Sequence, residues 1–171
     1  MKVYKIGDLI IYGNNGVCRV EDITSIDHDE IDNENLYYVL MPLYNTCTIY
    51  APTDSTKVFM RPIVTKKEAE KLIDMIPSMK AEIYHNSAMN QLTEHYKASF
   101  ESHECEDLIE LCMSIYAKKQ DAEEQNKKLG AIDEKFMKRA EELLFGELAT
   151  ALGIDKEQVP DYIENRIGEI R

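Results

Sequence analysis

The chain has 171 residues, 44% of them hydrophobic, with 20 Lys+Arg against 32 Asp+Glu and a formal net charge of −12. That apolar content excludes wholesale disorder, and the length holds one mid-sized domain or two small ones. The negative charge repels phosphate at long range, so any nucleic-acid contact has to come from local basic residues.

The opening MKVYKIGDLIIYG carries only a short apolar run ending in turn residues, which reads as a strand and not as a signal peptide. No window approaches the ~20 apolar residues of a membrane span, so no membrane association and a cytoplasmic location are expected. Cys18, Cys47, Cys105 and Cys112 have no C-x-x-C spacing, and reduced, largely packed thiols are predicted.

Up to Thr65 the signal is β. The runs DLIIY, GVCRVEDI, NLYYVLMPL, CTIYAP and KVFMRPI are rich in Ile, Val, Tyr and Thr, with Gly, Asn, Asp and Pro between them. Asn15-Gly16 suits a type I′ turn with positive φ at both central residues. The acidic tract DHDEIDNEN reads as a solvated hairpin loop. Five short strands in so few residues predict a small Tudor/SH3-like barrel, closed so that no sticky edge remains.

From Thr65 the period becomes helical. Thr65 and Glu68 form a capping box ahead of AEKLIDMI, and Pro77 stops that helix. Ser78 is placed as the cap of a longer helix to about Phe100, with Ile83, Met89, Leu92, Tyr96 and Phe100 inward. A third helix runs from Glu104 to the lysines near Lys119, burying Leu108, Leu111, Cys112 and Ile115, and fades into a polar stretch that Leu129-Gly130 ends. Asp133 opens a fourth helix that Gly153 closes, and Asp155 caps a fifth in which Pro160 sits near the start. The fold class is therefore α+β: a five-stranded β-barrel over residues 1–64, followed by an all-α bundle over residues 65–171.

Few residues suggest reaction chemistry. Gly-Asn-Asn-Gly lacks the Lys-Ser/Thr and strand-to-helix context of a phosphate loop, so a hairpin turn is the better reading. Asp27, Asp29 and Asp32 miss the glycine of a calcium loop. His103, Cys105 and Cys112 lack an evident fourth ligand, and packed cysteines are expected. Tyr84, His85, His95 and Tyr96 have no paired nucleophile or base and suggest packing or an interface. A non-enzyme with no catalytic set, no cofactor, no bound metal and no small-molecule substrate is expected.

The phrase YKIGDLIIYGNNGVCRVEDI resembles the opening of the CarD/CdnL family of bacterial RNA-polymerase-binding transcription regulators, written F-x-x-G-D-x-V-V-Y-P-x-H-G-V-G-x-V. The resemblance continues through YYVLMPL, TIYAPTD and RPIVTKKEAEKLI into AEELLFGELATALGI, in the family's order and across nearly the whole chain. It implies that residues 1–64 form a Tudor-like domain that sets a sheet edge against the RNA polymerase β subunit, a mode in which backbone groups supply affinity. It also implies that the helical domain touches promoter DNA at the upstream edge of the melted bubble, where an apolar wedge in the minor groove slows reannealing.

Carried onto this sequence, the polymerase-binding residues are Thr48, Ile49 and Tyr50, with Tyr50 standing where some members have arginine. The DNA-binding set is Leu92, His95, Lys97, Lys135, Lys138 and Arg139. Leu92 takes the family's tryptophan position in a chain that has no Trp, and Glu94-His95 replaces a basic pair, which turns one phosphate contact repulsive. Gly13 replaces the hairpin proline. Residues 1–65 carry 5 Lys+Arg against 9 Asp+Glu, net −4, and residues 66–171 carry 15 against 23, net −8. The clusters Lys118/Lys119, Lys127/Lys128 and Lys135/Lys138/Arg139 read more readily as solvated helix faces than as phosphate contacts, and Leu92 equally as a core residue. Two functions follow: a polymerase- and promoter-binding regulator, or an acidic adaptor that binds polymerase or another partner without appreciable DNA affinity.

Overall fold

The computed structural model describes residues 3–25 and 36–170. The acidic tract with Asp27, Asp29 and Asp32 lies outside the described residues. The chain divides into two compact units, Met1–Ile63 and Val64–Arg171.

The first unit is a five-stranded antiparallel sheet of β1 (Leu9–Tyr12), β2 (Val17–Ser25), β3 (Leu36–Pro42), β4 (Ile49–Pro52) and β5 (Met60–Pro62), in the order β4-β3-β2-β1-β5. The expected strands are present, but the sheet is not closed. β4 and β5 are its two outer strands, and each ends in a proline, which has no N–H for a further ladder. A bulge at Glu21, between the pairs Val20↔Leu40 and Asp22↔Val39, curls β2 over the core. Ile10, Cys18, Val20, Leu40 and Ala51 are fully buried there, with Tyr4 and Tyr38 packed edge to face at 5.8 Å between centroids.

The β1–β2 connection differs from the two-residue turn expected at Asn15-Gly16. Gly13–Asn15 form a 3₁₀ turn, and positive φ falls on Gly13 (+48°) and Gly16 (+74°), not on Asn15. The Tyr12 N–H donates across the loop to the Gly16 carbonyl at 3.1 Å. A Cβ on Gly13 would come within 2.8 Å of Val58, so close packing as well as φ explains glycine where the family has proline.

The second unit consists of α1 (Lys66–Met75), α2 (Met89–Glu101), α3 (Cys105–Glu124), α4 (Ala131–Leu152) and α5 (Val159–Ile170). Thr65 caps α1 by accepting the Glu68 N–H at 3.1 Å. Ser78 caps nothing: its hydroxyl donates back to the Met75 carbonyl inside a 3₁₀ turn over Ile76–Ser78, and the next helix starts only at Met89. Residues 79–88 are drawn into other bonds. Ser114 donates to the Glu82 carbonyl, the Tyr84 ring stacks on His95, and the Asn86 side chain accepts the Ala88 N–H while donating to Tyr84 and Gln91. Ile83 is thus off the helix and exposed, and Tyr84 and His85 precede α2 instead of lining it.

α3 runs on to Glu124 because the polar stretch after Lys119 is built of Ala, Gln, Asp and Glu, mostly good helix formers. α4 begins at Ala131 with Gly130 at its cap, so Asp133 lies inside the first turn. Gly153, at φ +71°, ends α4 in the left-handed conformation, and Asp155 with Gln158 makes a capping box ahead of α5. Leu92, Tyr96, Ile115, Leu148 and Val159 are among the side chains that join the five helices in one core.

Candidate functional site

β4 is the part of the first unit best suited to receive another chain. The Thr53 N–H donates to the Leu36 carbonyl at 3.0 Å, which makes Leu36/Thr53 a hydrogen-bonded pair of the antiparallel ladder. Counting along the register, Tyr38/Ala51 and Leu40/Ile49 are also hydrogen-bonded pairs, whereas Val39/Tyr50 is not. The N–H and C=O of Tyr50 therefore face away from β3, and β4 has no neighbour on that side among the described residues. Side chains alternate accordingly. Ala51 is buried and Ile49 packs against the core, while the Tyr50 ring is 54% exposed. Thr48, just before the strand, is exposed and donates its hydroxyl to the Met41 sulfur at 3.3 Å. The three polymerase-binding residues named from the sequence thus share one accessible sheet edge.

Of the six residues assigned to DNA, five are exposed and Leu92 is not. Leu92 is 7% exposed inside the helical core, and a side chain already used in packing has no free surface to wedge between bases. The wedge reading of Leu92 is corrected on this ground. His95 is exposed on α2 but lies flat against Tyr84, with centroids 3.6 Å apart and planes 9° apart. Lys97 is exposed on the outer side of the same helix and pairs with Glu94 at 3.7 Å. Lys135, Lys138 and Arg139 are exposed on one face of α4, as i, i+3 and i+4 spacing requires. Lys135 lies 5.8 Å from the centre of the Phe136 ring, and Arg139 pairs with Glu142 at 3.7 Å.

Buried polar chemistry in the second unit is structural. Asp133, 4% exposed, accepts from the Tyr96 hydroxyl at 2.5 Å and from Lys118 at 2.9 Å. Burial, then the bond to Asp133, raises the Tyr96 phenol well above its ordinary pKa. Glu147 accepts the Val64 N–H at 2.9 Å and the Cys105 thiol at 3.2 Å, fixing the start of the unit to α3 and α4. All four cysteines are free thiols. Burial pushes Cys18 up to about 11 and Cys112 to about 12, and Cys47 is the exposed one. Among the described residues, no three His, Cys, Asp or Glu side chains come together as a metal site, and no helix is long and apolar enough to cross a membrane.

Sequence reasoning missed the Tyr96–Asp133–Lys118 network and the anchoring role of Glu147. Only the presence of acids among apolar helix positions could have signalled either.

Residues 4–64 match the model of the CarD-like/TRCF RID domain, a span that coincides with the open sheet. The N-terminal unit belongs to the CarD-like family. Domains of this CarD-like/RID type interact with the β subunit of RNA polymerase, which makes the chain an RNA polymerase-interacting, transcription-related protein. The match ends one residue before the cap of α1, so it covers the CarD-like sheet and none of the helices. No curated protein matches the chain.

Proposed function

We propose that the chain is a transcription regulator that docks on the RNA polymerase β subunit through β4 and acts by binding, not by catalysis. The free outer edge at Tyr50, inside a domain of the CarD-like family, carries this reading. An added strand gains backbone hydrogen bonds along such an edge with little demand on side-chain identity. In this role the helical unit meets promoter DNA at the upstream edge of the bubble through the Lys135, Lys138 and Arg139 face of α4, and shifts the stability of the open complex.

Burial of Leu92 favours a second reading for that unit, an acidic adaptor that binds protein and leaves DNA alone. Fluorescence anisotropy of a fork-junction promoter DNA, with polymerase present and at two salt concentrations, separates the two. Phosphate binding predicts a log affinity that falls with log salt, and Lys138→Glu with Arg139→Glu should flatten that slope by about one for each phosphate no longer neutralised. No recruitment of the chain to the polymerase–DNA complex beyond its binding to polymerase alone selects the adaptor.

A further inference from the structure

Residues 36–53, from the start of β3 to just past β4, hold no Asp, Glu, Lys, Arg or His, in a chain of which 30% is charged. Edge strands commonly carry charge, which keeps other chains from pairing with them. β4 is an outer strand and has none.

The uncharged residues make one continuous face. Tyr38 and Leu40 are buried in the core, so Tyr37, Val39 and Met41 alternate onto the other side of β3. The register sets Tyr37 against Pro52 and Val39 against Tyr50, and the Met41 sulfur accepts the Thr48 hydroxyl. Val39/Tyr50 is the kind of pair without ladder bonds, in which side chains lie closest. Tyr50 and Met41 are both exposed.

Charge returns only on the closed side of this face. On β2, Arg19 stands opposite Met41 and Asp22 opposite Val39, and Arg19 pairs with Glu21 at 3.6 Å. The face thus runs from charged at β2 to uncharged at β4, where the backbone of Tyr50 points outward. A strand added outside β4 continues the face with every second side chain, and these lie against Tyr50.

We infer that the polymerase strand that pairs with β4 sets an apolar or aromatic side chain against Tyr50 and carries no charge on that face. Backbone bonds hold the strand, and the uncharged face selects it. A charged side chain packed there would lose water and find no partner. The inference rests on the docking proposed above.

The test measures binding of the full-length chain to purified polymerase β subunit for wild type, Tyr50→Ala, Tyr50→Glu, Tyr50→Arg and Tyr50→Pro, with a thermal melt of each to show that it is folded. High salt is used, because it screens long-range attraction and leaves close contacts. Tyr50→Ala should bind roughly two- to tenfold more weakly, the value of one aromatic contact. Tyr50→Glu and Tyr50→Arg should both weaken binding at least as much, since either charge is stranded. Tighter binding by one of the two reveals an opposite charge on the partner strand, which overturns the inference and leaves the docking edge standing. Tyr50→Pro, which deletes the outward N–H and adds no charge, should weaken binding further. Wild-type binding by Tyr50→Pro overturns the docking edge and the inference with it. A dimer of the chain that Tyr50→Glu dissociates, in place of β-subunit binding, assigns the face to a second copy and overturns both.

Discussion

Tyr96 is the residue on which the helical core turns: it is 1% exposed, its ring meets Phe136 at 5.5 Å, and its hydroxyl shares Asp133 with Lys118. Removing that hydroxyl leaves the lysine–aspartate pair intact but takes a donor from a buried carboxylate. Tyr96→Phe should therefore lower stability by about 1–3 kcal/mol in urea unfolding. Asp133→Ala should cost more, about 3–5 kcal/mol, because it strands a largely buried ammonium. Leu92→Ala tests the core assignment directly. A packed leucine predicts a loss of about 2–5 kcal/mol, whereas a surface wedge would leave stability unchanged and alter DNA affinity alone. The i, i+4 spacing of Leu92 and Tyr96 marked both as inward, but a residue position matched to a family tryptophan pulled the other way. Asp133 was legible only as a helix opener, since no local pattern reveals a partner 37 residues earlier in the chain. Reactivity at single residues follows the same logic. A thiol reagent should modify Cys47 rapidly in the native chain and the buried Cys18 and Cys105 only on unfolding, as timed by absorbance.

At the scale of elements, caps and end-to-end clamps hold the helices in place. Thr65→Ala removes the bond to the Glu68 N–H and should cost about 1 kcal/mol. α5 is tied to α1 by Arg166, whose guanidinium makes two bonds to Asp74, at 2.6 and 3.0 Å, and approaches Glu70 at 3.8 Å. The bond from Arg166 holds the Asp74 carboxyl below its ordinary range. A carboxylate with a depressed folded-state pKa adds stability that is complete above the unfolded value near pH 4 and is lost as pH falls through the folded value. The difference in urea midpoint between wild type and Arg166→Met should therefore be largest at neutral pH and shrink in acid. Equal differences at both would contradict the clamp.

The elements that the sequence made legible were those whose signals are local. β-branched runs marked the five strands, and Thr65 with Glu68, Gly153 and Asp155 marked helix ends. Elements set by distant partners were not legible. Residues 79–88 follow a helical spacing but are held out of a helix by Ser114 and His95, 32 and 11 residues away from their partners Glu82 and Tyr84. Barrel closure failed as an expectation for a related reason. Whether β4 and β5 meet depends on the loop 53–59 and on Pro52 and Pro62, not on strand pattern.

For the whole molecule, the family match and most of the negative charge fall on different units. The CarD-like match covers the sheet, and the helical unit carries the larger share of the negative charge. Docking would bring any basic face of that unit to promoter DNA at high effective concentration, so weak phosphate contacts could matter only on polymerase. The segment singled out from the sequence, Thr48 to Tyr50, lies at an outer strand of the sheet, and that the sheet stays open there is a property of the complete sheet which no local pattern shows.

Amide hydrogen exchange followed by NMR, on the full chain with and without the polymerase β subunit, tests that edge most directly. The Tyr50 amide, which points away from β3, should exchange freely in the unbound chain and become strongly protected in the complex. Binding with no change at Tyr50, and protection confined to the helices, would contradict docking through β4.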